Sequence, residues 1–390
     1  MKPPPGAKHT NIKEMKKLFV FAAAVAALAA CTKSEVNPSV PDKAVTFEVA
    51  NYVSPVTKAN VSFGTGNTFH TNAWVHTMLS GVASTQAFME NEEISWNSTD
   101  KQWMPSRMYY WPKTGYVNFF SYAGSINPTA TAEGSITYTN ATIDVDDDIL
   151  VADAAYEYTG NVSTYHLDDA GVTGVPTLFH HMLSKVTFNI KLDATDAIIS
   201  DAYEWEVVVD ESKFGYVNKG TAAFTFTDGE SANVAAPVEN VRTWAEAKDF
   251  AWTIVDNNKD NELESTVIGD SNKMTATNAQ KVSEVKTLFD EISVLPQDLT
   301  NDGEAWAQFS LTYTIKSTYK TDPADDTTWK YITETVTIPL TDILTYVPSI
   351  TGWKMNYKYI YNIIIKPGEP VLFDPAVVDW EETTATDKII

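Results

Sequence analysis

The chain has 390 residues, and 28 Lys and Arg stand against 51 Asp and Glu, a formal net charge of -23 with a pI near 4.5. Such an acidic surface excludes nucleic acid and anionic membrane surfaces as partners, because both repel it. A single cysteine excludes an intrachain disulfide, so stability must come from packing, and an aromatic content of 12% alongside abundant Thr and Val suits β-structure.

The first informative stretch runs from Met15 to Cys31, MKKLFVFAAAVAALAAC. Lys16 and Lys17 give a positive start, Leu18 to Ala27 an apolar run, and Leu28-Ala29-Ala30-Cys31 a small-residue end, which is the layout of a secretory signal. The run is shorter than the roughly 20 apolar residues a spanning helix needs, so it exports the chain without anchoring it. Its end resembles a bacterial lipobox. That implies cleavage between Ala30 and Cys31 by a lipoprotein signal peptidase, with Cys31 lipidated and the mature protein held at the outer membrane by that lipid. An ordinary secretory signal with an incidental cysteine is the alternative. Residues 1–30 are thus expected to be a signal region starting at Met15, and residues 31–43, with two prolines and no hydrophobic period, a lipidated tether.

The first strand is expected where Val45, Phe47 and Val49 alternate with Thr46, Glu48 and Ala50. Residues 54–60 break it, and Val61 to Gly66 reads as a short strand entering a turn. Between residues 67 and 127 stand Trp74, Trp96, Trp103, Tyr109, Tyr110, Trp111, Tyr116, Phe119, Phe120 and Tyr122. Aromatic rings pack on sugar faces, but cross-strand and core pairs use them more often. Asp144 to Asp148 reads as an acidic turn feeding a buried strand at Ile149, with hard-cation binding as the alternative.

Gly171 to Pro176 has the turn composition of a domain junction, which divides the mature chain into an N-terminal β-sandwich over residues 44–175 and a C-terminal one over 176–390. Past the junction, Val186, Phe188 and Ile190 alternate with polar residues as an antiparallel strand should. Further strands are expected at Trp205 to Val209, Ala222 to Phe226, Phe309 to Ile315, Thr333 to Leu340, Tyr357 to Ile365 and Val371 to Trp380. Tyr357 to Ile365 alternates weakly, so it is expected to be central with both faces covered. Two segments depart from this pattern. Val285, Leu288, Phe289 and Ile292 fall at helical spacing, predicting a short amphipathic helix over 283–292. Asp256 to Glu264 spaces its carboxylates like the opening of a calcium loop, but Asn261 stands where that loop needs glycine and Val267 where it needs a bidentate glutamate.

Catalytic motifs are missing. The sequence holds no glycine-rich phosphate loop, no His-Glu-x-x-His, no Gly-x-Ser-x-Gly and no cysteine pair. His180 and His181 are adjacent and, on a strand, would point to opposite faces, one packed and one exposed. Neither an enzymatic activity, a metal nor a cofactor is expected.

Several segments together resemble the fimbrillins, the pilin and pilin-like lipoproteins of Bacteroidetes that build type V pili. They are Tyr110-Trp111-Pro112 followed by Val117 to Tyr122, Phe179 to Val186, Val294-Leu295-Pro296-Gln297, Trp353 leading into Tyr357-Lys358-Tyr359, and Val377 to Trp380. The resemblance implies an all-β fold of two tandem transthyretin-like antiparallel β-sandwich domains with few short helices. It also implies that a trypsin-like maturation protease removes the first strand, here Val45, Phe47 and Val49, and that a C-terminal strand of another pilin subunit replaces it. Many relatives are cut after arginine, whereas the first arginine here is Arg107, so Lys58 and then Lys43 are the expected cut sites. The expected donor is residues 376–390, with Val377, Val378, Trp380, Ile389 and Ile390 as its apolar content. The alternative is that Val371 to Trp380 simply ends the second domain, followed by a frayed tail. The function so implied is that of a structural or tip subunit of an adhesive fimbrium, touching the membrane only through the lipid on Cys31 and meeting host or bacterial surface ligands. A monomeric carbohydrate-binding surface lipoprotein is the alternative.

Overall fold

A computed structural model describes residues 44–49, 63–79, 81–161, 173–197, 199, 203–226, 241–242, 251–255, 261–299, 307–319, 329–339, 352–368 and 371–379. About two thirds of them are strand, and the rest are turns and connections. The first eleven strands are β1 (Phe47–Val49), β2 (Thr68–Leu79), β3 (Val82–Asn97), β4 (Gln102–Pro105), β5 (Tyr116–Gly124), β6 (Ala130–Ala132), β7 (Ser135–Thr142), β8 (Ile149–Ala152), β9 (Ala154–Tyr158), β10 (Val175–Thr177) and β11 (Phe179–His181). Next come β12 (Ser184–Leu192), β13 (Tyr203–Tyr216), β14 (Lys219–Thr225), β15 (Val241–Arg242), β16 (Trp252–Ile254), β17 (Asn261–Glu264) and β18 (Met274–Ala276). The last are β19 (Lys286–Val294), β20 (Gln297–Asp298), β21 (Gln308–Tyr319), β22 (Trp329–Pro339), β23 (Gly352–Trp353), β24 (Tyr357–Ile365) and β25 (Leu372–Asp379). Helical structure among the described residues is confined to one 3-10 turn, Asp270–Asn272.

A ten-stranded sheet runs β10-β1-β4-β3-β2-β5-β8-β11, with β9 joined to β5 and β15 to β9. One aromatic core, including Phe47, Phe69, Trp103, Phe119 and Phe179, draws all its strand residues from this sheet, which must therefore curl around its own apolar face. Strand β5 shows why: Val117, Phe119 and Ala123 enter that core, while Phe120 and Tyr122 enter a second one on the opposite face. The second core is closed by a four-stranded sheet, β16-β14-β7-β6, through Tyr138, Phe224 and Trp252. A third core, around Phe188, Phe214, Phe309, Trp353 and Tyr361, lies between β19-β12-β24-β25 and the sheet of β17, β13, β21 and β22, where β18 joins β13. Two layers of sheet around one apolar interior make this an antiparallel-rich β-sandwich.

Two departures from the sequence reading have physical causes. Residues 286–294 form a strand and not a helix. Two register shifts along the β12–β19 pairing put extra residues into β19, with Glu291 at φ 50. Each shift resets the alternation, so Leu288 and Phe289 both face inward, and a period of two looks like one of 3.6. Tyr357 to Ile365 is one strand in from the edge, with Tyr359, Tyr361, Ile363 and Ile365 buried and the opposite side chains half-buried. Strands covered on both faces lie instead in the ten-stranded sheet, β5 and β8 among them. Strand β12 also pairs in two ways, antiparallel to β19 and parallel to β24, so its sheet is mixed.

Candidate functional site, the slot of the first strand

Val45, Phe47 and Val49 are fully buried and point into the aromatic core, as their alternation requires. Phe47 meets Phe69 edge-on at 5.5 Å and Phe119 at 5.7 Å. The slot holding β1 has two unlike walls. On one side β10 runs parallel, with Phe47 opposite Val175 and Val49 opposite Thr177, and Val175 N donates to Thr46 O at 2.8 Å. Opposite, β4 runs antiparallel, pairing Phe47 with Trp103, while Val45 N donates to Tyr109 O at 2.8 Å. Gly174 belongs to the first wall. A Cβ there would lie 2.5 to 2.6 Å from the main-chain atoms of Phe47, so only glycine lets the two backbones approach this closely.

At its leading end the strand meets a side chain. Asn161 Nδ2 donates to Ala44 O at 2.8 Å, and Asn161 Oδ1 accepts from Thr46 N at 3.2 Å and from Trp111 Nε1 at 2.9 Å. The Thr46 hydroxyl donates to Thr173 O at 2.6 Å. Behind the second wall sits the buried Glu92. Its carboxylate accepts from Ser106 Oγ at 2.5 Å, Tyr109 Oη at 2.9 Å, and Arg107 N and Nε, both at 3.2 Å. Burial works to raise the Glu92 pKa, but these donors and the Arg107 charge outweigh it and hold the carboxyl below its ordinary value. The loop that supplies Tyr109 O to the first strand is thus pinned from behind.

The other proposed strand lies in a different sheet. Among the described strands, β25 is the edge of its sheet and pairs only with β24, in register from Tyr357–Asp379 to Ile364–Leu372. Val377 lies opposite Tyr359 and is 40% exposed. Val378 contributes its main chain opposite Lys358. Ala30, Cys31, Lys43, Lys58, Trp380, Ile389 and Ile390 lie outside the described residues, as do Asp256, Asn258 and Asp260 of the candidate calcium loop. Of that loop, Glu262 and Glu264 lie on β17 and ion-pair with Lys213. Among the described residues no group of three or more metal-ligating side chains converges.

His180 and His181 do face opposite ways: His180 Nε2 is 3.1 Å from Asp153 Oδ1, and the buried His181 places Nδ1 2.9 Å from Asp148 Oδ1. They belong to a seam. Met182 and Leu183 fill the second core together with Leu295 and Met355, Trp252 Nε1 donates to Met182 O at 2.8 Å, and Ser184 Oγ donates to Lys354 O at 2.7 Å. The acidic turn at Asp144 to Asp148 is pinned to the same seam, where Ser293 N donates to Val145 O and Ser293 Oγ to Asp147 O. The segments 179–186, 294–297 and 353–359, far apart in the chain, therefore form one packed joint.

The aromatic residues between 67 and 127 resolve in favour of packing. Trp103, Phe119, Phe120 and Tyr122 are core, and Tyr110 is the exposed exception among the described aromatic residues. Asn161 and Glu92 were not singled out by sequence, since a lone Asn or Glu carries no periodic signal; Gly174 fell within the turn-rich Gly171 to Pro176, where it read as a junction residue and not as a wall of the slot, and Trp111 fell within the Tyr110-Trp111-Pro112 segment.

Fold and slot define an all-β sandwich protein whose first strand is an element inserted between two unlike neighbours of one sheet. The chain belongs to the fimbrillin-like family, whose family model matches residues 57–380. No curated protein matches it. Similar solved structures include a candidate cell adhesion protein of Bacteroides uniformis, 14% identical over 86% of this chain and 98% of that one, with a TM-score of 0.40. Another, a candidate cell adhesion protein of Parabacteroides distasonis, is 11% identical over 87% and 99%, with a TM-score of 0.39. The tip fimbrial protein Mfa3 of Porphyromonas gingivalis, solved with a C-terminal truncation, is 10% identical over 80% and 94%, with a TM-score of 0.29.

Proposed function

We propose that the protein is a fimbrial subunit, structural or at the tip, that serves adhesion at the cell surface and assembles by exchange of its first strand. The observation that carries this reading is β1 itself, a short strand with every side chain buried, inserted between a parallel and an antiparallel neighbour. Its removal would leave a gap between β10 and β4, lined by Phe69, Trp103 and Phe119, which a new strand with apolar residues at alternate positions would fill. Maturation after Lys58 would free the strand together with the lipid on Cys31, whereas a cut at the second candidate, Lys43, would release the lipidated tether alone, and residues 376–390 of another subunit would donate the replacement. Support for the donor role is the position of β25 at a sheet edge with Val377 exposed.

The division into sandwiches over 44–175 and 176–390 is part of the proposal. In its favour, the core around Phe188 takes every residue from beyond Pro176. Strands β14 and β16, from the later part, nonetheless pair into the sheet of β7, so the two halves share a layer.

Treating the mature protein with a trypsin-like protease tests the mechanism. Release of an N-terminal fragment containing residues 44–49 and a ladder of multimers are expected, and a retained fragment with no ladder defeats it. Lys58→Ala should block both. Unchanged assembly of that variant would eliminate Lys58 as the cut site. The carbohydrate-binding alternative is disfavoured by the burial of Trp103, Phe119, Phe120 and Tyr122, which leaves Tyr110 as the exposed ring of that region, and a glycan array screen with Trp-to-Ala variants tests it.

A further inference from the structure

Asn161 occupies a place in the β1–β10 ladder where a residue of β10 would otherwise stand. In a parallel pair, one residue donates its N–H to the carbonyl before its opposite number and accepts the N–H after it. Val175 follows this rule opposite Phe47, donating to Thr46 O, and Thr177 lies opposite Val49. The next rung up faces Val45, and it requires a donor to Ala44 O and an acceptor for Thr46 N. Asn161 supplies both from its side-chain amide. Thr173, which the ladder would place there, instead accepts the Thr46 hydroxyl. The orientation of the amide is fixed, because Oδ1 faces two N–H donors, Thr46 and Trp111, and Nδ2 faces a carbonyl. Trp111 is itself held edge-on against Phe119 at 5.8 Å.

We propose that Asn161 is a main-chain recognition site of the slot: a peptide-unit surrogate, oriented by Trp111, that binds the leading end of any extended segment lying parallel to β10. The ligand is an extended polypeptide with a free N–H at the position of Thr46, so proline is excluded there. Its polarity is fixed, because reversing the strand would bring a different set of groups to the amide. A rung made by a side chain opens by rotation about its own χ angles, without movement of a neighbouring strand, so this is the end at which β1 unzips and a replacement first engages. As a docking site for a second strand, the inference rests on the strand-exchange reading above; as a rung holding β1, it does not.

Two measurements test it. In the full chain, Asn161→Ala should speed hydrogen exchange at the Thr46 amide by about tenfold or more while leaving the Val175 amide protected. Asn161→Asp, which keeps the acceptor and loses the donor, should fall between. Equal exchange at Thr46 in wild type and both variants overturns the proposal. In the protease-nicked protein, the peptide Ala-Val-Thr-Phe-Glu-Val competes for the slot against the same peptide N-methylated at its Thr. Methylation should weaken binding to the wild type by about tenfold and to Asn161→Ala far less. An equal penalty in both overturns main-chain recognition. Should the nicked protein accept neither peptide, strand exchange fails as a mechanism, while amide exchange in the intact chain still decides whether Asn161 is the rung.

Discussion

The first and last described strands sit differently in their sheets. Strand β1 has three residues, is paired on both sides and has its side chains fully buried. Strand β25 has eight, is paired on one side along its whole length, and leaves Val377 40% exposed. The short strand is fixed by what its side chains fill, and its ladder is so brief that a side-chain amide completes it. Of the long strand the ladder is described throughout, while among its described side chains Leu372 and Ala376 are half-buried and Val377 is exposed. A strand held by filled cavities can be replaced by another that fills them equally well, whereas a strand held by main-chain bonds tolerates changes of side chain. In strand addition both contributions act together, main-chain bonds supplying affinity and filled pockets supplying register.

Substitutions in the two strands should therefore differ in cost. Phe47→Ala empties a fully buried aromatic site and should cost about 3–5 kcal/mol by denaturant unfolding; a loss below about 1 kcal/mol would mean that β1 is not held by its side chains. Gly174→Ala places a methyl against the Phe47 backbone and should cost about 1–3 kcal/mol, with faster amide exchange over residues 44–49. Glu92→Gln should cost about 1–2 kcal/mol, since the amide cannot accept from every donor now facing the carboxylate. The pH dependence of the wild type should share that origin. The Glu92 carboxyl is held below its ordinary value of 4.5 in the folded protein, so its contribution is complete above that value and is lost as the pH falls through the lower, folded value. Melting temperatures followed down to about pH 3 should show a steeper acid loss in wild type than in Glu92→Gln, and parallel curves would remove Glu92 from the account. The smallest effect belongs to β25: Val377→Ala should change stability by no more than about 0.5 kcal/mol, and a cost near that of Phe47→Ala would abolish the contrast between the strands.

Much of this was legible in the residues. The alternation of Val45, Phe47 and Val49 and that of Val186, Phe188 and Ile190 reports one buried face, and those faces are buried. The acidic turn before Ile149 leads into four buried residues because Asp144 to Asp148 stays at the surface while the apolar run goes inward. Two kinds of information were hidden. Bulges in β19 made a strand mimic a helix, since hydrophobic period is the only local signal of either. The alternation of Ala222, Phe224 and Phe226 shows a buried face but cannot say which sheet it completes, and β14 crosses to β7. Likewise the burial of β1 was foreseeable from its alternation, while the parts played by Asn161 and Gly174 were not, because what they do depends on a main chain more than a hundred residues away in sequence.

The joint between the halves has a mechanical consequence. Only Met182 and Leu183 separate β11, in the ten-stranded sheet, from β12, in the next, and both side chains are buried. There is no slack between the sheets. Under tension such a joint would not stretch like a spacer; load on β11 would pass directly into β12 and, through the ladder they share, into β24. Force along those strands shears many ladder bonds at once instead of peeling them singly, so the joint would act as a stiff link between the two sheets.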